Sequence, residues 1–124
     1  MSIVIDHIVL PAHDHEVSAR FFAQIMGRTY NGPDRHFAPV HISDTFTVFF
    51  LQVERFEPYH LGFHVSDADV DQIVGQLTAA NIPYGNDPRD HTNMRTDHPF
   101  GGRGLFFLDP NGHLLEVMTI VRPH

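Results

Sequence analysis

Tyr59-His60-Leu61-Gly62-Phe63-His64-Val65-Ser66-Asp67 repeats, without a gap, the pattern of Asp6-His7-Ile8-Val9-Leu10-Pro11-Ala12-His13-Asp14. The offset is 53 residues (60 − 7). Each stretch is a short apolar strand that starts on a histidine and ends in a polar turn. Each turn leads into a helical pattern. Val17, Phe21, Phe22 and Ile25 recur at helical spacing before Gly27, and Val70, Ile73, Val74 and Leu77 do so before Asn81 and Pro83. Asp14 and either Ser66 or Asp67 are the candidate N-caps.

Strand-like segments follow each helix. In the first half they cover Phe37 to Ile42 and Phe46 to Val53; in the second, Leu105 to Leu108 and His113 to Thr119. The second pair is joined by Asp109-Pro110-Asn111-Gly112, a turn in which Pro presets φ and Gly permits φ > 0. Further strands are expected near Arg28 to Tyr30 and near Pro83 to Tyr84. The predicted fold is therefore α+β: two βαβββ modules, residues 1–55 and 56–124 of a single domain, forming a cupped, partly open, barrel-like mixed sheet with the helices outside. Residues 85–104 (GNDPRDHTNMRTDHPFGGRG) have no period. A loop this long in a small domain is usually functional, so it is read as a lid or pocket rim.

Composition removes much chemistry. The chain has 124 residues, 42% hydrophobic and 19% charged, an ordinary globular mix. There is no cysteine, and all eight cationic residues are arginine. Disulfides, thiolate nucleophiles, Schiff-base lysines and P-loop lysines are excluded. No serine sits in a nucleophile elbow, and no G-x-G-x-x-G is present. The net charge of −7 argues against nucleic acid. No apolar run is long enough to span a membrane, and the first residues lack a signal-peptide pattern, so a cytoplasmic protein is expected.

Histidine is over-represented, at 11 residues. His13, His15, His36 and His124 lie in turn-like or terminal contexts and read as surface residues. Strand alternation separates the others. Ile8 and Leu10 share the greasy face of the first strand, opposite His7 and Val9. Leu61, Phe63 and Val65 oppose His60, Gly62 and His64. In the last strand Leu115 and Val117 oppose Leu114, Glu116 and Met118. Glu116 is a lone carboxylate in an apolar strand, and burying it without a partner would cost several kcal/mol, on the order of the known penalty for a stranded charge. Arg103 could pair with it. The alternative is a divalent metal ion held by His7, His60 and Glu116, two imidazoles and one carboxylate that leave coordination positions open.

These stretches resemble the vicinal oxygen chelate superfamily, which includes glyoxalase I, fosfomycin- and bleomycin-resistance proteins and extradiol dioxygenases. The matching residues are Asp6 to Leu10, Tyr59 to Val65 and, most specifically, Gly101-Gly102-Arg103-Gly104-Leu105-Phe106-Phe107-Leu108-Asp109-Pro110-Asn111-Gly112-His113-Leu114-Leu115-Glu116-Val117. The resemblance implies paired βαβββ modules around one divalent ion, with His7, His60 and Glu116 as its ligands; two nitrogens and one oxygen suit Fe, Mn, Zn or Ni. Phe49 falls opposite Glu116 in the repeat and cannot ligate, which departs from a four-ligand pattern; Gln52 is the reserve. The implied activity is that of a dioxygenase, lyase or isomerase acting on a small oxygenated molecule that chelates the metal. The alternative is a bleomycin-resistance-like binder without chemistry. Candidate proton-moving residues are His64, read as a neighbour of the centre, His98 and Tyr84. Candidate substrate contacts are Arg95, Arg103, Phe49 and His41. The resemblance also implies a homodimer, with no nucleic acid or membrane partner.

Overall fold

The computed structural model describes residues 2–121; His124 lies outside them. Eight elements appear in the order β1 (His7–Ala12), α1 (His15–Met26), β2 (Phe37–Ser43), β3 (Phe46–Gln52), β4 (His60–His64), α2 (Asp67–Ala79), β5 (Gly104–Leu108) and β6 (Leu114–Met118). They fall into two compact units, with the boundary between Glu57 and Pro58. No helix among the described residues is long and apolar enough to cross a membrane.

The first unit is an open mixed sheet of order β1-β3-β2, with β1 parallel and β2 antiparallel to β3. The second unit repeats it as β4-β6-β5, parallel and antiparallel in the same places. The registers coincide as well. His7 pairs with Thr47 and Val9 with Phe49; His60 pairs with Leu114 and Gly62 with Glu116. Offsets of 53 (60 − 7) and 67 (114 − 47) carry one ladder onto the other. Phe49 thus holds in its unit the place that Glu116 holds in the other.

The helices start and stop by local chemistry. Asp14 accepts the Glu16 and Val17 amides at 3.1 Å. Ser66, not Asp67, caps α2, in a reciprocal box with Asp69. Both helices end in a Schellman arrangement. Arg28 N–H reaches the Ala23 carbonyl past Gly27 at φ 68°, and Ile82 N–H reaches the Leu77 carbonyl past Asn81 at φ 57°.

Burial follows the expected alternation. Leu10, Phe22, Ile25, Val48 and Phe50 are buried in the first unit, with the Phe22 ring edge-on to Phe50. Val70, Ile73, Leu77, Leu105, Phe107, Leu115 and Val117 are buried in the second. Each such side chain contributes about 1.5–3 kcal/mol.

Three expectations are corrected. Residues 28–30 form no strand, and residues 83–84 none either; near the latter only the single bridge Gly85–Phe106 forms. Among the described residues each unit therefore carries three regular strands. Arg28 instead uses its side chain, donating Nε–H to the Ile42 carbonyl at 2.8 Å. Val17, read into the apolar stripe of α1, is half-exposed, and Ser18 and Ala19 are buried in its stead.

Candidate metal-binding site and its cavity

Glu116 is the buried centre of the second unit. It sits mid-strand on β6, flanked by two imidazoles. His60 Nε2 lies 2.9 Å from Oε1, and His98 Nε2 lies 2.5 Å from Oε2. The Glu116 side chain is 9% exposed and that of His98 1%, whereas that of His60 is 50% exposed. Arg103 is not its partner. That guanidinium bonds Asp71 at 2.7 Å and stands 3.6 Å from Asp67, both on α2. The Asp71 hydrogen bond raises the Arg103 pKa further above its high ordinary value.

Gly62 faces Glu116 across the ladder. A Cβ there would stand 3.8 Å from Oε1 and 3.0 Å from the Met118 methyl. Glycine thus keeps the space beside the carboxylate open. Phe106 pairs with Glu116 from the other side, on β5. Its ring stacks on His98 (5.7 Å, 19°) and meets His60 edge-on (6.0 Å, 64°).

A cavity of about 300 Å³ opens over this group. Pro88, Pro99, Phe100 and Phe106 give it apolar walls, and Asp87 and Arg89 also line it. Residues 85–104 therefore supply much of the rim, as their lack of period suggested. Internal bonds hold this loop. Asn86 and Asn93 pair through their amides, Asn86 also reaches Asp97, and Arg95 clamps Asp97 at 2.8 and 3.1 Å. The Asp97 carboxyl is held below its ordinary pKa, first by its own backbone amide and then by Arg95.

Could Glu116 and its neighbours hold a cation? Two donors bound to one ion at about 2.0–2.2 Å and at right angles stand about 3 Å apart. The His60–Glu116 separation of 2.9 Å fits that spacing. His60 is suited to ligation because its exposed ring can move the Nε2 proton to Nδ1. Among the described residues, no three His, Asp or Glu side chains stand ready-assembled around an ion position.

The other sequence-designated residues lie as follows. In the first unit, His7 holds the strand position that His60 holds in the second. Its Nδ1 is 2.8 Å from Asp6 Oδ2, and its ring is edge-on to Phe49 at 5.5 Å. His7 and Phe49 line a cavity of about 490 Å³ there. His41 pairs with Thr47, 2.7 Å from its hydroxyl. Gln52 is three residues beyond Phe49, hence on the opposite strand face, and its carbonyl is 3.1 Å from His15 on α1. In the second unit, Tyr84 lines a different cavity, with Leu77 and Met94. His64 donates to the Thr119 carbonyl at 3.1 Å. Four residues of strand separate it from His60, about 13 Å, which is too far for a neighbour of one centre. Arg95 is paired within the loop, as described.

His98, named from the sequence as a candidate proton-moving residue, is buried and anchored on Glu116, with Nε2 2.5 Å from Oε2. The signal available was its place before Pro99-Phe100-Gly101-Gly102, a tight-turn sequence that fixes a side chain.

No protein-family model matches the chain, and no curated protein does. Solved structures do. A protein named oxidase ChaP-H2 is 37% identical, with a TM-score of 0.88 over 100% of this chain and 97% of its own. Oxidase ChaP-H1 is 30% identical, with a TM-score of 0.87 over 98% of each chain. A glyoxylase/bleomycin resistance protein/dioxygenase domain from Frankia sp. EAN1pec is 21% identical, with a TM-score of 0.72 over 95% of this chain and 98% of its own; that likeness is one of fold.

Proposed function

The chain belongs to the vicinal oxygen chelate superfamily, and from that premise we propose that it is a metal-dependent oxidising enzyme acting on a small, partly apolar molecule with two adjacent oxygens. One observation carries the reading: His60 Nε2 and Glu116 Oε1 stand 2.9 Å apart under an aromatic-walled cavity. The full-length likeness to two proteins named oxidases favours oxidation over lyase or isomerase chemistry.

On this reading His60 and Glu116 are two metal donors. His7, which has the equivalent register position in the first unit, is the further donor that the superfamily resemblance implies. Held there, a divalent ion would supply Lewis-acid chemistry to the substrate oxygens. Fe(II) or Mn(II) suits oxidation by dioxygen. The chain's own residues then have separable tasks. Phe100 and Phe106 line the cavity as apolar wall that would pack on the substrate body and exclude water. Arg89, whose guanidinium has no ion-pair partner among the described residues, offers a fork to an anionic substituent at the cavity rim. The proposal includes a homodimer, which sedimentation velocity tests directly.

The functional test begins with metal. Untagged protein reconstituted anaerobically with Fe(II) should hold about one equivalent per site and consume dioxygen when given a catechol-type panel. His60→Ala should abolish both. The reading fails if the wild-type protein takes up no divalent ion. Tight binding of an aromatic compound by that metal-free protein would instead make it a non-catalytic binder.

A further inference from the structure

We propose that His98 is a positioning residue that holds Glu116 Oε2 through a proton locked on Nε2, and so reserves Oε1 for the cation. The inference rests on the metal reading above and goes beyond it, since it separates two imidazoles that flank one carboxylate.

The lock is set by a backbone amide. Phe100 N–H donates to His98 Nδ1 at 3.1 Å. An amide nitrogen can only donate, so Nδ1 must be the unprotonated nitrogen of a neutral ring. Nε2 then carries the proton, and its partner at 2.5 Å is Glu116 Oε2. With Nδ1 occupied as an acceptor, the neutral ring has no lone pair left at Nε2 for a metal. His98 is a donor to the carboxylate and not a ligand.

The ring cannot escape this arrangement by turning. It is stacked on Phe106 and tilted against Phe100 at 5.1 Å. The amide that sets the tautomer is itself fixed by a tight turn. Gly101 N–H reaches the His98 carbonyl at 2.9 Å, and His98 N–H reaches the Gly102 carbonyl at 3.2 Å. Gly101 and Gly102 take φ 98° and 63°, which side chains rarely adopt. At Gly102 a Cβ would also strike Ile120 at 2.5 Å and Thr119 at 2.6 Å. His98-Pro99-Phe100-Gly101-Gly102 thus encodes both the position and the tautomer of one imidazole.

His60 is the contrast. Its ring is half-exposed and no described residue bonds its Nδ1, so Nε2 can turn from donor to ligand. The consequence is that Glu116 should bind a cation through Oε1 alone.

Zinc is a suitable probe because it is diamagnetic. Nitrogen-15 ring spectra of wild-type protein should show His98 protonated at Nε2 and accepting at Nδ1, both before and after zinc. His60 Nε2 should change to the metal-bound type. Chelator competition should show His98→Leu binding zinc about 10–100-fold more weakly. His98→Gln, which restores an N–H near the carboxylate, should recover much of the loss. A His98 ring that loses its Nε2 proton on zinc addition would overturn the inference. So would a folded His98→Leu protein with wild-type affinity, or a free protein whose His98 carries its proton on Nδ1. If His98→Leu does not fold, the wild-type spectra alone decide. Wild-type protein that binds no zinc sinks the metal reading and this inference together; wild-type binding with an unaffected His98→Leu sinks only the inference.

Discussion

The two units share one backbone plan and differ in what they load onto it. Each has a strand, a capped helix with the same left-handed exit, and two further strands in the same register. The difference lies at two places. On the last strand the first unit has Phe49 where the second has Glu116. Between helix and next strand the first unit has residues 27–36, and the second has residues 80–103. That longer connection delivers His98 to Glu116. In the first unit His7 finds an aromatic edge and an exposed aspartate. In the second His60 finds a buried carboxylate that is already held from its far side. Duplicated scaffolding therefore leaves one unit free to carry the polar centre.

The strongest way to break the comparison is to make the second unit like the first. Glu116→Phe should lower divalent-metal affinity by more than about 100-fold, since a ligand and not merely its support is removed. It should also cost about 1–3 kcal/mol in urea unfolding, because it strands the buried His98 donor. Metal affinity within a factor of a few of wild type would remove Glu116 from the centre.

Gly104→Ala comes next. A Cβ would stand 2.4 Å from the Val117 carbonyl and 2.7 Å from the His98 ring. The first contact is with backbone, so the sheet must shift; overpacking of this kind costs about 1–3 kcal/mol. The His98 ring resonances should move as well. Unchanged thermal stability would mean that the β5–β6 ladder is looser than its register implies.

The smallest structural change is Gly62→Ala, which brings this position toward Val9, its counterpart. The Met118 methyl can swing aside, so stability should change by less than about 1 kcal/mol. Metal affinity should fall more than stability does, because the new methyl, 3.8 Å from Oε1, fills space beside the oxygen that the cation would use. Equal insensitivity of both would show that Gly62 is there for the strand alone.

Acid sharpens the contrast in the connecting segments. Asp97 has a lowered pKa, so its contribution to loop order is complete above the ordinary carboxylate value of 3.8. It is lost as pH falls through the lower folded value. Hydrogen exchange at residues 86–97 should quicken in that window while α1 keeps its protection. Asp97→Asn should quicken the same amides at neutral pH. The effect is local, since the Arg95–Asp97 pair is exposed and worth little globally.

Much of this was legible in the chain itself. The 53-residue repeat, the alternation that puts His60 and Glu116 opposite the greasy faces, and the caps at Asp14, Gly27 and Asn81 are all set by neighbours a few residues away. Strand and helix periods, together with single left-handed residues, are local properties, and local properties can be read in order. Phe49's equivalence to Glu116 needed only counting. Tertiary structure decided which partners the irregular segment would meet. No period in residues 85–104 says that His98 turns inward while Arg95 is spent on Asp97, or that Arg103 reaches α2 and leaves Glu116 to two imidazoles. Those choices depend on loop closure against a finished sheet, where one buried carboxylate selects the donor that can reach it without leaving either group unsatisfied.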